Sequence, residues 1–199
     1  KSVVISTKIW KCSPNGLNDQ MMSRKHIIEG LQNSLKRLQL DYVDVVFSHR
    51  PDYECSLEET CAAMHYVIEK GLAFYWGTSE WTAPRIAAAI GICEKNGWHK
   101  PIVEQPQYNM IKRDKFESEF HYVFQDYKIG STIWPPLCQG ILTGKYNEGV
   151  APSGSRFDKE NSGNPFHRLF LQGEEKKAES LKMLNDLAAL AKELGCTMA

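Results

Sequence analysis

Five times in 199 residues, a short apolar run is followed by a stretch whose apolar residues recur at helical spacing. That alternation limits the fold more than any other feature of the chain. Strands separated by whole helices cannot pair as tight hairpins. They pair in parallel, and the connecting helices cover the sheet. The first run is Val3 to Ser6, ending on Thr7 and Lys8. A polar loop follows, and Ser23 then leads a helix with Ile27, Ile28, Leu31, Leu35 and Leu38 on one stripe.

The second run lies in DYVDVVFSHRPD, where Val43, Val45 and Phe47 alternate with Asp44, Val46 and Ser48. Ser56 with Glu59 predicts a capping box, and Gly71 predicts the end of that helix. LAFYWG is the third strand and ends at Thr78 and Ser79. Thr82 is expected to cap the next helix, with Pro84 in its first turn and Asn96-Gly97 as its stop. PIVEQ is the fourth strand, followed by one helix over about Asp114 to Asp126. IGSTIW is the fifth, reaching Trp134, and Pro135-Pro136 bars its continuation. Leu137 to Gly173 reads as a long polar loop, and Glu174 to Leu194 as a last helix with Leu181, Leu184, Leu187, Ala188 and Ala191 on one face.

Two architectures carry such a pattern: an open doubly wound sheet and an arc of a (β/α)8 barrel. The open sheet calls for a glycine-rich phosphate loop after its first strand. STKIWKC stands there, and neither G-x-G-x-x-G nor a P-loop occurs in the chain. The fold class expected is α/β, a partial (β/α)8 TIM barrel of about five consecutive βα units, in one incomplete domain over residues 1–199. A whole barrel takes roughly 250 residues. The N- and C-terminal barrel strands are therefore expected to lie outside this stretch, which reads as the middle of a longer chain.

Lys plus Arg and Asp plus Glu stand at 24 each, so no overall basic field exists to gather nucleic acid or anionic lipid. No apolar run reaches membrane-spanning length, and no secretory signal is expected. The six cysteines, Cys12, Cys55, Cys61, Cys93, Cys138 and Cys196, form no C-x-x-C pair and share no zinc-type spacing with histidine. They fit a reducing, cytoplasmic setting, and no metal site is expected.

The strands stop on Lys8, His49, Ser79, Gln105 and Trp134. Strand ends are polar in many proteins, so each residue alone also reads as a surface or loop-bonding group. Together they are an amine, an imidazole, a hydroxyl, a carboxamide and an indole at successive ends. In a barrel those ends converge on the carboxyl face, where such groups catalyse or bind.

DYVDVVFSHRPD preceded by SLKRLQL, then YWGTSEW, VEQPQYNM and LCQGILTGKY, resemble the aldo-keto reductases in order and spacing over essentially the whole chain. SRKHIIEGL, YWGTSEW and GILTGKY resemble the branch of voltage-gated potassium channel β-subunits, and Glu80 with IVEQPQYNM its plant and fungal members. The resemblance implies a (β/α)8 barrel that reduces a small carbonyl substrate with NADP(H). It also implies a homotetramer docked on the cytoplasmic domain of a channel. The family's catalytic tetrad is Asp, Tyr, Lys and His. Lys8 matches its lysine and His49 its histidine, while the Asp and Tyr would lie before Lys1. This stretch alone is thus expected to turn over at background rates.

Cofactor positions carry over from the same resemblance. Ser79, with Glu80 beside it, and Gln105 match residues at the nicotinamide carboxamide, and Trp134 the aromatic stacked on the nicotinamide. Pro135, Pro136, Leu137, Cys138 and Gly140, with Lys145, match the segment over the pyrophosphate. Ser155 and Arg156 match the pair near the adenosine 2′-phosphate. The family usually reads W-S-P-L where this chain has Trp134-Pro135-Pro136-Leu137, so Pro135 removes a hydroxyl and an N–H from that segment. Two further readings remain open: a non-catalytic, nucleotide-sensing channel subunit, and a non-functional fragment without a stable fold.

Overall fold

The computed structural model describes residues 2–10, 21–158 and 174–199. The chain divides into two compact units, Lys1–Tyr108 with Lys112–Trp134, and Asn109–Ile111 with Pro135–Ala199.

The first unit is a five-stranded parallel sheet in the order β1-β2-β3-β4-β5: Ser6–Ile9, Val43–Ser48, Ala73–Ser79, Val103–Gln105 and Gly130–Ser131. Helices α1 (Arg24–Leu38), α2 (Leu57–Glu69), α3 (Ala83–Asn96) and α4 (His121–Tyr127) alternate with the strands. Ile9, Leu31, Val46, Met64, Trp76, Ile86 and Phe120 belong to one buried cluster of strand and helix residues. Sequential strands pairing as neighbours, each pair spanned by a helix, make this the arc of a barrel.

Helix limits follow the capping chemistry. The Ser23 hydroxyl accepts from His26 N–H, and the Ser56 hydroxyl accepts from Glu59 N–H at 3.1 Å. Glu59 does not close the expected box. Its carboxylate instead takes the N–H of Arg24 at 2.8 Å, linking the starts of α1 and α2. Thr82 occupies the N-cap of α3 without a side-chain bond, and Glu119 supplies the missing acceptor to Ala83 N–H at 2.8 Å. Gly97 ends α3 in the left-handed conformation, as expected.

Three boundaries differ from expectation. The first strand is Ser6–Ile9 rather than Val3 to Ser6. Val3 and Val4 are exposed, and the ladder register starts at Ser6 opposite Val45. Lys8 therefore lies inside the strand, not past its end. The helix over 114–126 is broken into a π-helical turn, Lys115–Glu119, and α4. Phe120 N–H bonds to Lys115 O, and Glu117 is held by Arg113 and by the Tyr108 hydroxyl. The fifth strand is two residues long. Pro106 has no N–H to offer, so the ladder lapses and pairing resumes only at the isolated Gln107–Trp134 bridge.

The second unit carries its own small core of Ile141, Leu142, Tyr146, Phe157 and Leu184. Its elements are a 3-10 segment, Cys138–Thr143, and helix α5, Glu174–Glu193. Much of the expected polar loop, 159–173, lies outside the described residues, as do Cys12 and most of the loop after β1. The five described cysteines are free thiols. Among the described residues no helix is long and apolar enough to cross a membrane.

Candidate functional site

The strand register sorts the sheet into rows. Lys8, Phe47, Gly77, Val103 and Gly130 are neighbours across all five strands. Alternation of side chains puts this row on the face away from Ile9, which is buried against the helices. Two residues further along come His49, Ser79, Gln105 and Thr132. The sequence-predicted set thus converges on one face at the carboxyl edge of the sheet. Gly77 forms part of its floor: a Cβ there would stand 2.6 Å from the Val103 carbonyl oxygen and 2.9 Å from the Phe47 ring. Only glycine fits at position 77 of that row.

The groups at this edge are tied to one another. Ser79 Oγ donates to Gln105 O at 2.9 Å, and Gln105 Nε2 donates to Thr132 Oγ1 at 3.1 Å. Arg50, which the sequence reading passed over, donates to His49 O at 2.6 Å and to Ser79 Oγ at 3.4 Å. Its guanidinium carbon lies 5.8 Å from the centre of the Trp134 ring. The signal was present in the sequence, since Arg50 follows His49 directly in FSHRPD.

Glu80 has a task the sequence did not disclose. Its Oε1 accepts from Trp134 Nε1 at 2.9 Å and also from the Gln107 N–H. The Gln107 bond holds the carboxylate, and the carboxylate holds the indole N–H. Glu80 holds a left-handed φ of 58°, a conformation that costs a non-glycine residue energy and aims its carboxylate across to Trp134.

Two cationic side chains, Lys8 and Arg50, stand around His49 at this edge. Lys8 is exposed as a residue, but partial desolvation of its ammonium lowers its pKa, and the Arg50 charge lowers it further. His49 is pushed down by burial first, then by Arg50 and by Lys8. A low imidazole pKa keeps His49 neutral near pH 7, with one ring N–H available to donate. The Lys8 ammonium stands 5.5 Å over the Phe47 ring.

The opposite row, Ile9, Ser48, Thr78 and Glu104, is fully buried. Glu104 is the exceptional member. One carboxylate oxygen takes the Thr78 hydroxyl, and the other has no hydrogen-bond partner. Burial lifts its pKa to about 7. Nothing in PIVEQ distinguishes this carboxyl from an exposed one.

In the second unit, Pro135 O accepts from Cys138 N–H at 2.9 Å and from Asn109 Nδ2 at 3.2 Å. Pro136 and Leu137 are exposed. Cys138, Gln139 and Gly140 take positive φ values of 46°, 60° and 102° in succession. A Cβ on Gly140 would come within 3.3 Å of Lys145 Nζ, so glycine keeps the space beside that ammonium open. Arg156 is exposed. Ser155 sits in a turn where its carbonyl accepts from Asp158 N–H at 3.1 Å.

A family model for aldo/keto reductases matches residues 1–199. The chain belongs to the aldo/keto reductase family. A probable voltage-gated potassium channel subunit beta of Arabidopsis thaliana is 51% identical over 99% of this chain. One from Oryza sativa subsp. japonica is 48% identical over 99%. A putative voltage-gated potassium channel subunit beta of Schizosaccharomyces pombe is 45% identical over 98%. This aldo/keto reductase chain spans 58%, 58% and 55% of those relatives' lengths.

The residues present fit a nicotinamide dinucleotide. The half-buried Trp134 offers a flat face fixed at its N–H, and Ser79 and Gln105 supply neighbouring polar groups. The cationic edge suits a phosphorylated ligand.

Proposed function

We propose that the full-length protein carrying this segment is an NADPH-dependent oxidoreductase that reduces small carbonyl compounds. Residues 1–199 would form part of its one barrel domain. The observation carrying the proposal is the row His49, Ser79, Gln105 and Thr132, adjoining Lys8, with Arg50 behind it and Trp134 pinned by Glu80.

NADPH supplies the hydride when it is bound. Trp134 stacks on its nicotinamide, and Ser79 and Gln105 hold the carboxamide. Pro135 to Cys138, Gly140 and Lys145 receive the pyrophosphate, and Ser155 and Arg156 the adenosine 2′-phosphate. Lys145 and Arg156 are the charge-assisted donors such groups need. The Lys8 ammonium lowers the pKa of the tyrosine general acid that family membership implies upstream. A neutral His49 donates its ring N–H to the substrate oxygen as negative charge develops there.

The names of the plant and fungal relatives support a second role, as a β-subunit of a voltage-gated potassium channel, and a tetrameric, cytoplasmic assembly belongs to that proposal. In that role the bound nucleotide reports redox state. Oxidation of NADPH by the full-length protein with an aromatic aldehyde separates the two. Sustained turnover is expected. Tight NADPH binding without turnover would contradict the enzymatic reading and leave the sensing one.

A further inference from the structure

At the other end of the sheet, three side chains with no part in the carboxyl-edge site come together. His65 and Glu69 stand four residues apart on one face of α2, and His99 comes from the connection between α3 and β4. One ligand atom from each lies within 4.8 Å of the other two. His99 Nε2 and Glu69 Oε1 are 2.8 Å apart, and the backbone N–H of His99 lies 3.4 Å from His65 Nδ1.

We propose that His65, Glu69 and His99 form a surface site for a divalent first-row transition ion, with Zn²⁺ as the reference ligand. Two imidazoles and one carboxylate are the donors that suit such an ion. The all-oxygen sets that select Ca²⁺ and Mg²⁺ are absent from this cluster. Ligand atoms about 2.0–2.2 Å from a tetrahedral ion lie roughly 3.3–3.6 Å apart, so exposed side chains need only rotamer-scale movement to close on one. Three protein ligands leave a fourth position for water.

The frame is already held in place. His99 O accepts from the indole N–H of the buried Trp76 at 2.7 Å, which anchors the connection to the centre of the sheet. The Trp98 ring stacks on His65 at 6.1 Å between centroids, limiting the rotation of that imidazole. Such supporting contacts determine whether a ligand set is preorganised. An ion here would tie the end of α2 to the entrance of β4. It would act as a clamp on the barrel's stability face, remote from catalysis.

Calorimetric titration of ZnCl₂ into the full-length protein tests the site, with thermal melts as the second readout. Zn²⁺ is expected to bind and to raise the melting midpoint, because it binds the folded chain preferentially. Mg²⁺ at the same concentration is expected to leave the midpoint unchanged. His65→Ala and His99→Ala should each weaken Zn²⁺ binding by roughly tenfold or more. Glu69→Gln keeps the side-chain shape and should also lose affinity. Failure of Zn²⁺ to bind, or an affinity in all three variants equal to that of the parent protein, would overturn the site.

Discussion

Lys8→Met in the full-length protein is expected to lower kcat for NADPH-dependent carbonyl reduction by about 10²–10⁴-fold, the range typical of a lost proton-transfer partner. Methionine preserves the length and apolar stem of lysine, so packing on Phe47 survives while the ammonium is lost. Lys8 is exposed at the edge of the described sheet and makes no ion pair among the described residues, so the fold does not rest on its charge. Nucleotide affinity should change far less than kcat, because the dinucleotide contacts are assigned to Ser79, Gln105 and Trp134. A parallel loss of kcat and melting temperature would indicate a structural lysine. Unchanged turnover would remove Lys8 from the mechanism.

The second large effect concerns stability and pH. Glu104 holds its proton up to about pH 7 in the folded chain, against an ordinary value of 4.5. Below the lower value both folded and unfolded chains are protonated there, and the group adds no pH dependence. Between the two values the folded chain keeps a proton that the unfolded chain has released. Stability therefore falls as pH rises through this window, and the loss is complete above about 7. The raised pKa corresponds to about 3 kcal/mol. Glu104→Gln cannot ionise and keeps an acceptor for Thr78. It should be more stable than the parent by up to about 3 kcal/mol near pH 8, and by less than about 1 kcal/mol near pH 5. Denaturant melts at the two pH values measure this. An identical pH slope in both proteins would contradict the buried, neutral carboxyl.

The alternation of periods made the parallel sheet and its helices legible, because apolar spacing reports which face is buried. The side of the sheet was legible for the same reason: strand direction brings His49, Ser79 and Gln105 to the carboxyl edge, although Lys8 lies within β1 and Trp134 beyond the end of β5. Long-range bonds were not legible. Glu119 capping α3, Glu80 holding Trp134 and Arg50 reaching Ser79 each join residues 29 to 54 positions apart. No local propensity encodes them. The limits of β1 and β5 escaped as well, because ladder pairing sets them and not the apolar run. Pro106, standing in plain view, ended one ladder from the neighbouring strand. His65, Glu69 and His99 are likewise scattered in sequence and meet only through the packing of α2 beside the α3–β4 connection.

Titration of NADP⁺ into the full-length protein and its Trp134→Ala variant asks most directly whether the carboxyl edge grips a dinucleotide. Loss of an aromatic stack costs about 1–3 kcal/mol, so binding should weaken roughly 5- to 150-fold. Equal affinity in the two proteins would mean that the nucleotide, if it binds at all, does so away from this edge.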